Sequence, residues 1–192
     1  LCALPPVGTP ITFLMISRLI YDKGVHEYAE AAKLVKQEFP DARFRLLGPR
    51  DVENRTAVDE TTLRTWVAEG HIEYEGAARD VRGHIEAAHC VVLPSYREGC
   101  PRTLMEAASM GRPVIASDVP GCRSVVDEGI SGLFCEARNA TSLAQAMRQF
   151  ILMSDAARVK MGAAGRLKME REFSESIVVS AYLDAIKRAT AS

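Results

Sequence analysis

Apolar residues gather in six short, nearly continuous runs along the first two thirds of the chain. They occupy residues 11–17 (ITFLMIS), 42–48 (ARFRLLG), 71–76 (HIEYEG), 89–94 (HCVVLP), 113–117 (PVIAS) and 132–135 (GLFC). Runs this short with little polar alternation predict strands covered on both faces, which is how strands of parallel sheets read. Between them the apolar positions change to a helical period. In residues 24–39, Val25, Tyr28, Ala29, Ala32, Val35 and Phe39 share one face, and Pro40 ends the segment. Residues 80–88, 101–110 and 121–128 are shorter helical candidates, and the polar stretch 49–60 reads as a loop leading into a helix that carries Trp66. From about Ala140 the pattern is helical throughout, with Ser142 and Ser174 standing where helix caps precede the first apolar residue. Strand and helix alternate with short connections. That order predicts an α/β fold, a Rossmann-like doubly wound parallel sheet with right-handed crossovers and a helical C-terminal segment.

A chain of 192 residues, 47% hydrophobic, suits one compact domain with a true core. Its 24 Lys and Arg against 25 Asp and Glu leave a net charge of -1. No basic excess exists to drive counterion release, so no nucleic-acid partner is expected. The five cysteines (Cys2, Cys90, Cys100, Cys122 and Cys135) are odd in number and widely spaced. They read as reduced thiols of a cytoplasmic protein, not as a disulfide framework or a zinc site. No apolar stretch approaches the roughly 18 residues that a membrane span needs, and the start has no leader-like pattern. The first residue is Leu1, so the chain is expected to be a piece of a longer one.

The densest chemistry lies in residues 95–121, SYREGCPRTLMEAASMGRPVIASDVPG. A buried strand ends at Ser95, so residues 96–100 form the turn at its carboxyl end, where open α/β sheets bind ligands. Pro101 suits a helix start, Gly111 the residue just past its end, and Pro113 forbids continuation. The free amides and dipole of that helix start favour an anion, usually a phosphate. Glu98 stands ahead of the first turn, and Glu106 lies five residues beyond Pro101, about 7.5 Å along the axis. The two acids would bracket a diphosphate and accept from hydroxyls on either side. Taken alone, such glutamates are usually solvated. The first strand, however, ends in SRLIYDKG, which puts Arg18 and Lys23 at a second strand-to-helix junction opened by Gly24. A cationic pair there can neutralise a diphosphate leaving group. An Arg and a Lys in a loop are ordinarily surface residues; the two junctions together are far more specific.

These residues resemble retaining glycosyltransferases of the GT-B fold, the group 1 or family 4 type that builds bacterial polysaccharides and lipid-linked oligosaccharides. SRLIYDKG is similar to their G-R-L-x-x-x-K-G segment. Residues 98–134, EGCPRTLMEAASMGRPVIASDVPGCRSVVDEGISGLF, resemble their hallmark of two glutamates separated by seven residues, followed by A-x-G-x-P-V-I-A and G-x-x-G-L. The resemblance implies one half of a GT-B fold, a donor-binding domain spanning residues 1–192. Its core would cover about residues 11–150 and its helical segment about 141–190, with the N-terminal acceptor domain missing. By position, Arg18 and Lys23 match the pair that holds the donor diphosphate, Glu98 the acid on the donor sugar, and Glu106 the acid on the ribose. Cys100, Arg102 and Thr103 match positions whose amides face sugar and phosphates. Tyr74 and Gly76 match the wall beside the base, and Gly48 the loop beneath the nucleotide. Arg18, Lys23 and Glu98 are thereby the catalytic candidates.

The resemblance further implies transfer of a hexosyl or N-acetylhexosaminyl group from a nucleotide sugar, UDP-linked by preference, to a glycan or lipid-linked acceptor. The expected place is the cytoplasm, and peripheral contact of the full-length protein with the inner membrane is compatible with it. Two positions depart from the pattern: Pro101 stands where many members have Gly, and Ser124 where many have Glu. None of His26, His71, His84 and His89 matches the family's catalytic-side histidine, so all four are expected to be structural or exposed. The final helix, around residues 174–189, resembles the segment that crosses back onto the missing domain. A non-catalytic nucleotide-binding module is the main alternative, and a UDP-sugar 2-epimerase of the same architecture fits the SRLIYDKG cations less well. Dehydrogenases would need G-x-G-x-x-G and P-loop enzymes G-x-x-x-x-G-K-[ST]; neither is present. There is no D-x-D to hold a cation, so no metal and no cofactor are expected.

Overall fold

The computed structural model describes residues 3–6, 8–50 and 53–190. All six predicted strands form: β1 (Thr12–Ile16), β2 (Arg43–Leu47), β3 (Glu73–Tyr74), β4 (Cys90–Leu93), β5 (Val114–Ser117) and β6 (Gly132–Cys135). They pair in parallel in one sheet of order β3-β2-β1-β4-β5-β6. Strand β3 is shorter than its run predicts. It lies at the sheet edge, pairs only with β2 among the described residues, and is half-buried, so little favours extending the ladder.

Side chains alternate between the faces as period two requires. Phe13 and Met15 of β1, Cys90 and Val92 of β4, and Ile115 of β5 enter one core. Leu14, Val91, Leu93, Val114 and Ala116 enter the other. Helices α1 (Val25–Lys36) and α6 (Ala140–Leu152) pack together over the first face, where α2 (Glu60–Ala68) adds Leu63 and Trp66. Over the second face lie α3 (Arg82–Glu86), α4 (Arg102–Ser109) and α5 (Pro120–Val125), with α7 (Asp155–Glu172) packed against α4. Both faces are thus covered, which is why the strands read as unbroken apolar runs.

The chain ends in α8 (Glu175–Thr190). Val25, Tyr28, Ala29, Ala32 and Val35 of α1 are buried as expected, but the helix stops at Lys36 and Phe39 follows in a turn. One capping expectation is corrected. The N-cap of α6 is Asn139, whose side chain accepts from the Ser142 amide, and Ser142 lies inside the helix with its hydroxyl accepting from the Glu136 amide. Asn offers the same short acceptor as Ser, so sequence alone leaves the position ambiguous within a turn.

The sheet order sets the function-bearing geometry. β1 leads to β2 and β3 on one side, then the chain returns to place β4, β5 and β6 on the other. The connections leaving β1 and β4 therefore diverge, and a crevice opens between their carboxyl ends.

Candidate donor site

The crevice between β1 and β4 is built from two strand-to-helix junctions. After β1, a short 3-10 turn (Tyr21–Lys23) leads to Gly24, which caps α1 with φ 74°. A side chain there would be strained in the left-handed region, and a Cβ would also overlap the Pro94 carbonyl. Glycine is what lets the start of α1 press against the end of β4. After β4, residues 94–101 run to the N-cap of α4, which is Pro101. The Leu104 and Met105 amides both donate to the Pro101 carbonyl. The Arg102 and Thr103 amides precede them, in the part of a helix that its own ladder leaves without partners.

Arg18, Lys23, Glu98, Cys100, Arg102 and Thr103 line one cavity of about 290 Å³ with Ile16, Ser17, Leu93 and Pro101. Across it the Lys23 ammonium donates to Glu98 Oε1 at 2.6 Å. The Glu98 side chain is 9% exposed and that of Lys23 26%, so the acid is withdrawn from water and the base half-covered. The Thr103 hydroxyl reaches the Ile16 carbonyl at 3.4 Å, tying α4 to the end of β1. The cavity therefore joins cations, a carboxylate and a helix start within one small volume. Among the described residues, no three His, Cys, Asp or Glu side chains group as a metal site would need.

Glu106 lies one turn along α4 from Arg102 and is exposed. It borders a neighbouring groove of about 390 Å³ with Arg82, Arg102, Met105, Ser109 and Met110. Arg102 lines both spaces, so the two acids flank the start of α4 on connected but distinct sides.

The sequence matches the family described as Glycosyl transferases group 1 over residues 10–152. The chain belongs to the group 1 glycosyltransferases. It is 30% identical, over 91% of its length, to the N,N'-diacetylbacillosaminyl-diphospho-undecaprenol alpha-1,3-N-acetylgalactosaminyltransferase of Campylobacter jejuni, of which it covers 44%. It is 27% identical to the putative colanic acid biosynthesis glycosyltransferase WcaL of Escherichia coli, over 89% of the chain and 43% of the relative. It thus spans less than half the length of these curated relatives. Its fold is shared with sucrose-phosphate synthase from Thermosynechococcus elongatus, at a TM-score of 0.80 and 24% identity over 98% of this chain and 47% of that one. It is shared also with Anabaena Alr3699/HepE in complex with UDP and glucose, at a TM-score of 0.79 and 19% identity over 94% of this chain and 49% of that one.

Three of the expected residues, Gly48, Tyr74 and Gly76, meet one another beside Ser17, which lines the cavity. The Tyr74 hydroxyl donates to the Gly48 carbonyl at 3.0 Å, and the Gly48 amide donates to the Gly76 carbonyl at 2.7 Å. Tyr74 also borders a pocket of about 590 Å³ with Arg50, Glu60, Leu63, Arg64, Val67 and Ala68. Gly48 is fixed by crowding, because a Cβ on it would overlap the Ser17 carbonyl. Ser124, the departure from the usual Glu, donates its hydroxyl to the Gly121 carbonyl. The histidines are engaged structurally or exposed. His89 accepts from the Thr12 amide at 3.1 Å, His84 pairs with Glu75, His71 with Glu69, and His26 is exposed at the edge of the Trp66 ring.

Two supports of the site escaped sequence reasoning. Tyr96 is held three ways: its amide donates to the Asp22 carbonyl at 2.9 Å, its hydroxyl to Glu27 Oε1 at 2.7 Å, and Arg138 stacks 4.6 Å above its ring. Arg138 adopts φ 61°, an unusual backbone for a side chain other than Gly, Asn or Asp. The second support is Gly121 at the start of α5, where a Cβ would overlap the carbonyls of Glu98 and Gly99. The signal for Gly121 was the glycine itself, close behind Pro120 in the quoted stretch. Nothing local pairs Tyr96 with Glu27, 69 positions away.

Proposed function

We propose that this chain is the donor-binding half of a retaining glycosyltransferase. In this reading it holds a UDP-sugar, from which a hexosyl or N-acetylhexosaminyl group passes to a glycan or lipid-linked acceptor. The carrying observation is the meeting of Arg18, Lys23, Glu98 and the start of α4 in one cavity at the switch between β1 and β4. The diphosphate would lie against Lys23, Arg18 and the Arg102 and Thr103 amides. Cations and oriented amides stabilise the charge that gathers on a departing phosphate, and they do so without rearranging. Glu98 would accept from sugar hydroxyls, and Glu106, beyond Arg102, from the ribose. The catalytic part played by Arg18 and Lys23 is thus leaving-group stabilisation, and that of Glu98 is to fix the sugar against the phosphate. Neither role calls on a metal.

The names of relatives support the donor and acceptor classes. One acts on a diphospho-undecaprenol substrate with an N-acetylgalactosaminyl group, and one structure of the same fold contains UDP and glucose. The acceptor side belongs, in this reading, to an N-terminal domain outside the chain. Helix α8 presents Val179, Tyr182, Leu183 and Ile186 to solvent on one side, the kind of apolar face that such a domain would cover. Among the described residues no helix is long and apolar enough to cross a membrane. The reading places the protein in the cytoplasm.

Calorimetric titration of the chain with UDP, GDP and ADP, each free and sugar-linked, tests this. UDP forms should bind with modest affinity, and Lys23→Ala should weaken them about tenfold, the loss expected for a charge-assisted contact. The chain alone should transfer no sugar, because acceptor positioning and water exclusion need the other half of the cleft. Failure of every nucleotide to bind the folded chain would refute the assignment.

A further inference from the structure

Lys23 and Glu98 are each proposed above to contact the donor, yet they also bond each other. The Lys23–Glu98 bond of 2.6 Å crosses the 290 Å³ cavity in which both would have to turn toward a ligand. Neither backbone can yield easily. Lys23 is followed by Gly24, wedged against Pro94, and the carbonyl of Glu98 is wedged against Gly121. The Tyr96 amide bond to Asp22 ties the two segments together one step further back. Only the side chains are left to exchange partners.

We infer, on the strength of the proposed donor site, that the Lys23–Glu98 ion pair is a competitor for the diphosphate. It selects the sugar-linked nucleotide over the bare one. A phosphate that draws Lys23 away leaves Glu98 9% exposed and without its cation. Removing one partner from a covered ion pair costs more than the pair itself contributes, because the remaining charge is neither solvated nor compensated. A sugar-linked donor supplies hydroxyls that bond Glu98 as Lys23 leaves it. A bare nucleoside diphosphate supplies none and carries more charge on its terminal phosphate. The pair therefore re-forms after transfer and displaces the product.

Other charged and titratable groups face the same space. Arg18 and Arg102 line it from the β1 end and from α4, and Cys100 from the loop. Behind Glu98, burial pushes the Cys122 thiol of α5 up to about 12, with the charge of Glu98 adding to it. That thiol thus stays neutral and provides Glu98 with no countercharge, which leaves the Lys23 ammonium, 2.6 Å away, to supply it.

The test is a double-mutant cycle read by calorimetric titration of UDP and UDP-glucose into the chain, with thermal melts confirming each variant folded. Glu98→Gln should bind UDP about 5- to 10-fold more tightly than wild type, the worth of a charge-assisted bond no longer in competition. Glu98→Ala, which deletes the carboxylate outright, should move UDP affinity in the same direction. The preference for UDP-glucose over UDP should shrink in both. With Lys23→Ala as background, the gain from Glu98→Gln should fall by at least half. An unchanged or weaker affinity for UDP in Glu98→Gln overturns the inference. So does an equal gain in both backgrounds, since that would assign the effect to simple repulsion. If no form binds UDP, the donor-site reading fails and this inference fails with it.

Discussion

The phenol of Tyr96 donates to Oε1 of Glu27 at 2.7 Å, joining the loop after β4 to helix α1. The other carboxylate oxygen, Oε2, is buried with no partner among the described residues. Glu27 thus depends on Tyr96. Burial, followed by the bond to Glu27, pushes the phenol up to about 12, so it remains a donor throughout the neutral range. Tyr96→Phe should destabilise the chain by about 2 kcal/mol, since a hydrogen bond to a charged group is lost and the covered carboxylate keeps no partner. Adding Glu27→Leu should restore much of that loss, because removing both partners also removes the unpaired charge. Urea denaturation of the two variants and the wild type checks this. A double variant no more stable than Tyr96→Phe would show that the phenol matters for packing alone.

Gly121 tests the rigidity of the same loop from the opposite side. Its φ is not in the left-handed region, so only space is at issue. In Gly121→Ala the new methyl would meet the backbone of Glu98 and Gly99, which cannot rotate aside as a side chain would. Overpacking of this kind costs about 1–3 kcal/mol, or is relieved by moving the loop. Either a lower melting temperature or a lower affinity for UDP-glucose is expected, and a variant equal to wild type in both would mean that the loop yields freely.

Much of this arrangement was legible in the chain. The strands stood out because both faces of the sheet are covered, and α4 because Pro101, Gly111 and Pro113 punctuate it. The brevity of β3 did not, because its edge position, visible only in the assembled sheet, withholds a second partner. Arg18, Lys23, Glu98 and Arg102 converge as the motif suggested, since each sits next to a strand end and the switch point brings those ends together. The clamp on Tyr96 was illegible for a different reason. Its partners come from α1 and from the segment after β6, and only the strand order decides that these meet. Tyr74, Gly48 and Gly76 bond one another across positions that only the pairing of β2 with β3 brings together.

Glu106 should discriminate ribose from deoxyribose. It is exposed at the rim of the groove beside Arg102, and its carboxylate is open to water there. A site that bonds hydroxyls rejects an analogue lacking them, because its own group is then left unsatisfied. Since this carboxylate is reached by water, the penalty should be modest, about 3- to 10-fold in Kd for 2′-deoxy-UDP against UDP. Glu106→Ala should bind both alike. Equal binding of the two nucleotides by the wild type would remove Glu106 from the ribose.

His89 gives the fold an acid sensitivity at the end of the sheet away from the cavity between β1 and β4. It stands just before β4, 5% exposed, with Nδ1 accepting from the Thr12 amide at 3.1 Å. Burial, then the charges of Arg158 and Arg112, lowers it from 6.5 to about 4. The folded chain therefore keeps this imidazole neutral while the unfolded chain protonates it below about pH 6.5. The unfolded state binds the extra proton, so this contribution to stability is full above pH 6.5 and is lost as pH falls toward 4. Between pH 7.5 and 4.5 it should amount to about 2–3 kcal/mol. His89→Gln retains an acceptor for the Thr12 amide but does not titrate. Urea denaturation of both proteins across this range should show the wild type losing that much more stability than the variant, while UDP affinity at pH 7.5 stays the same. Parallel stability curves would mean that His89 titrates in the folded chain as it does in the unfolded one, and that the covered imidazole is open to water.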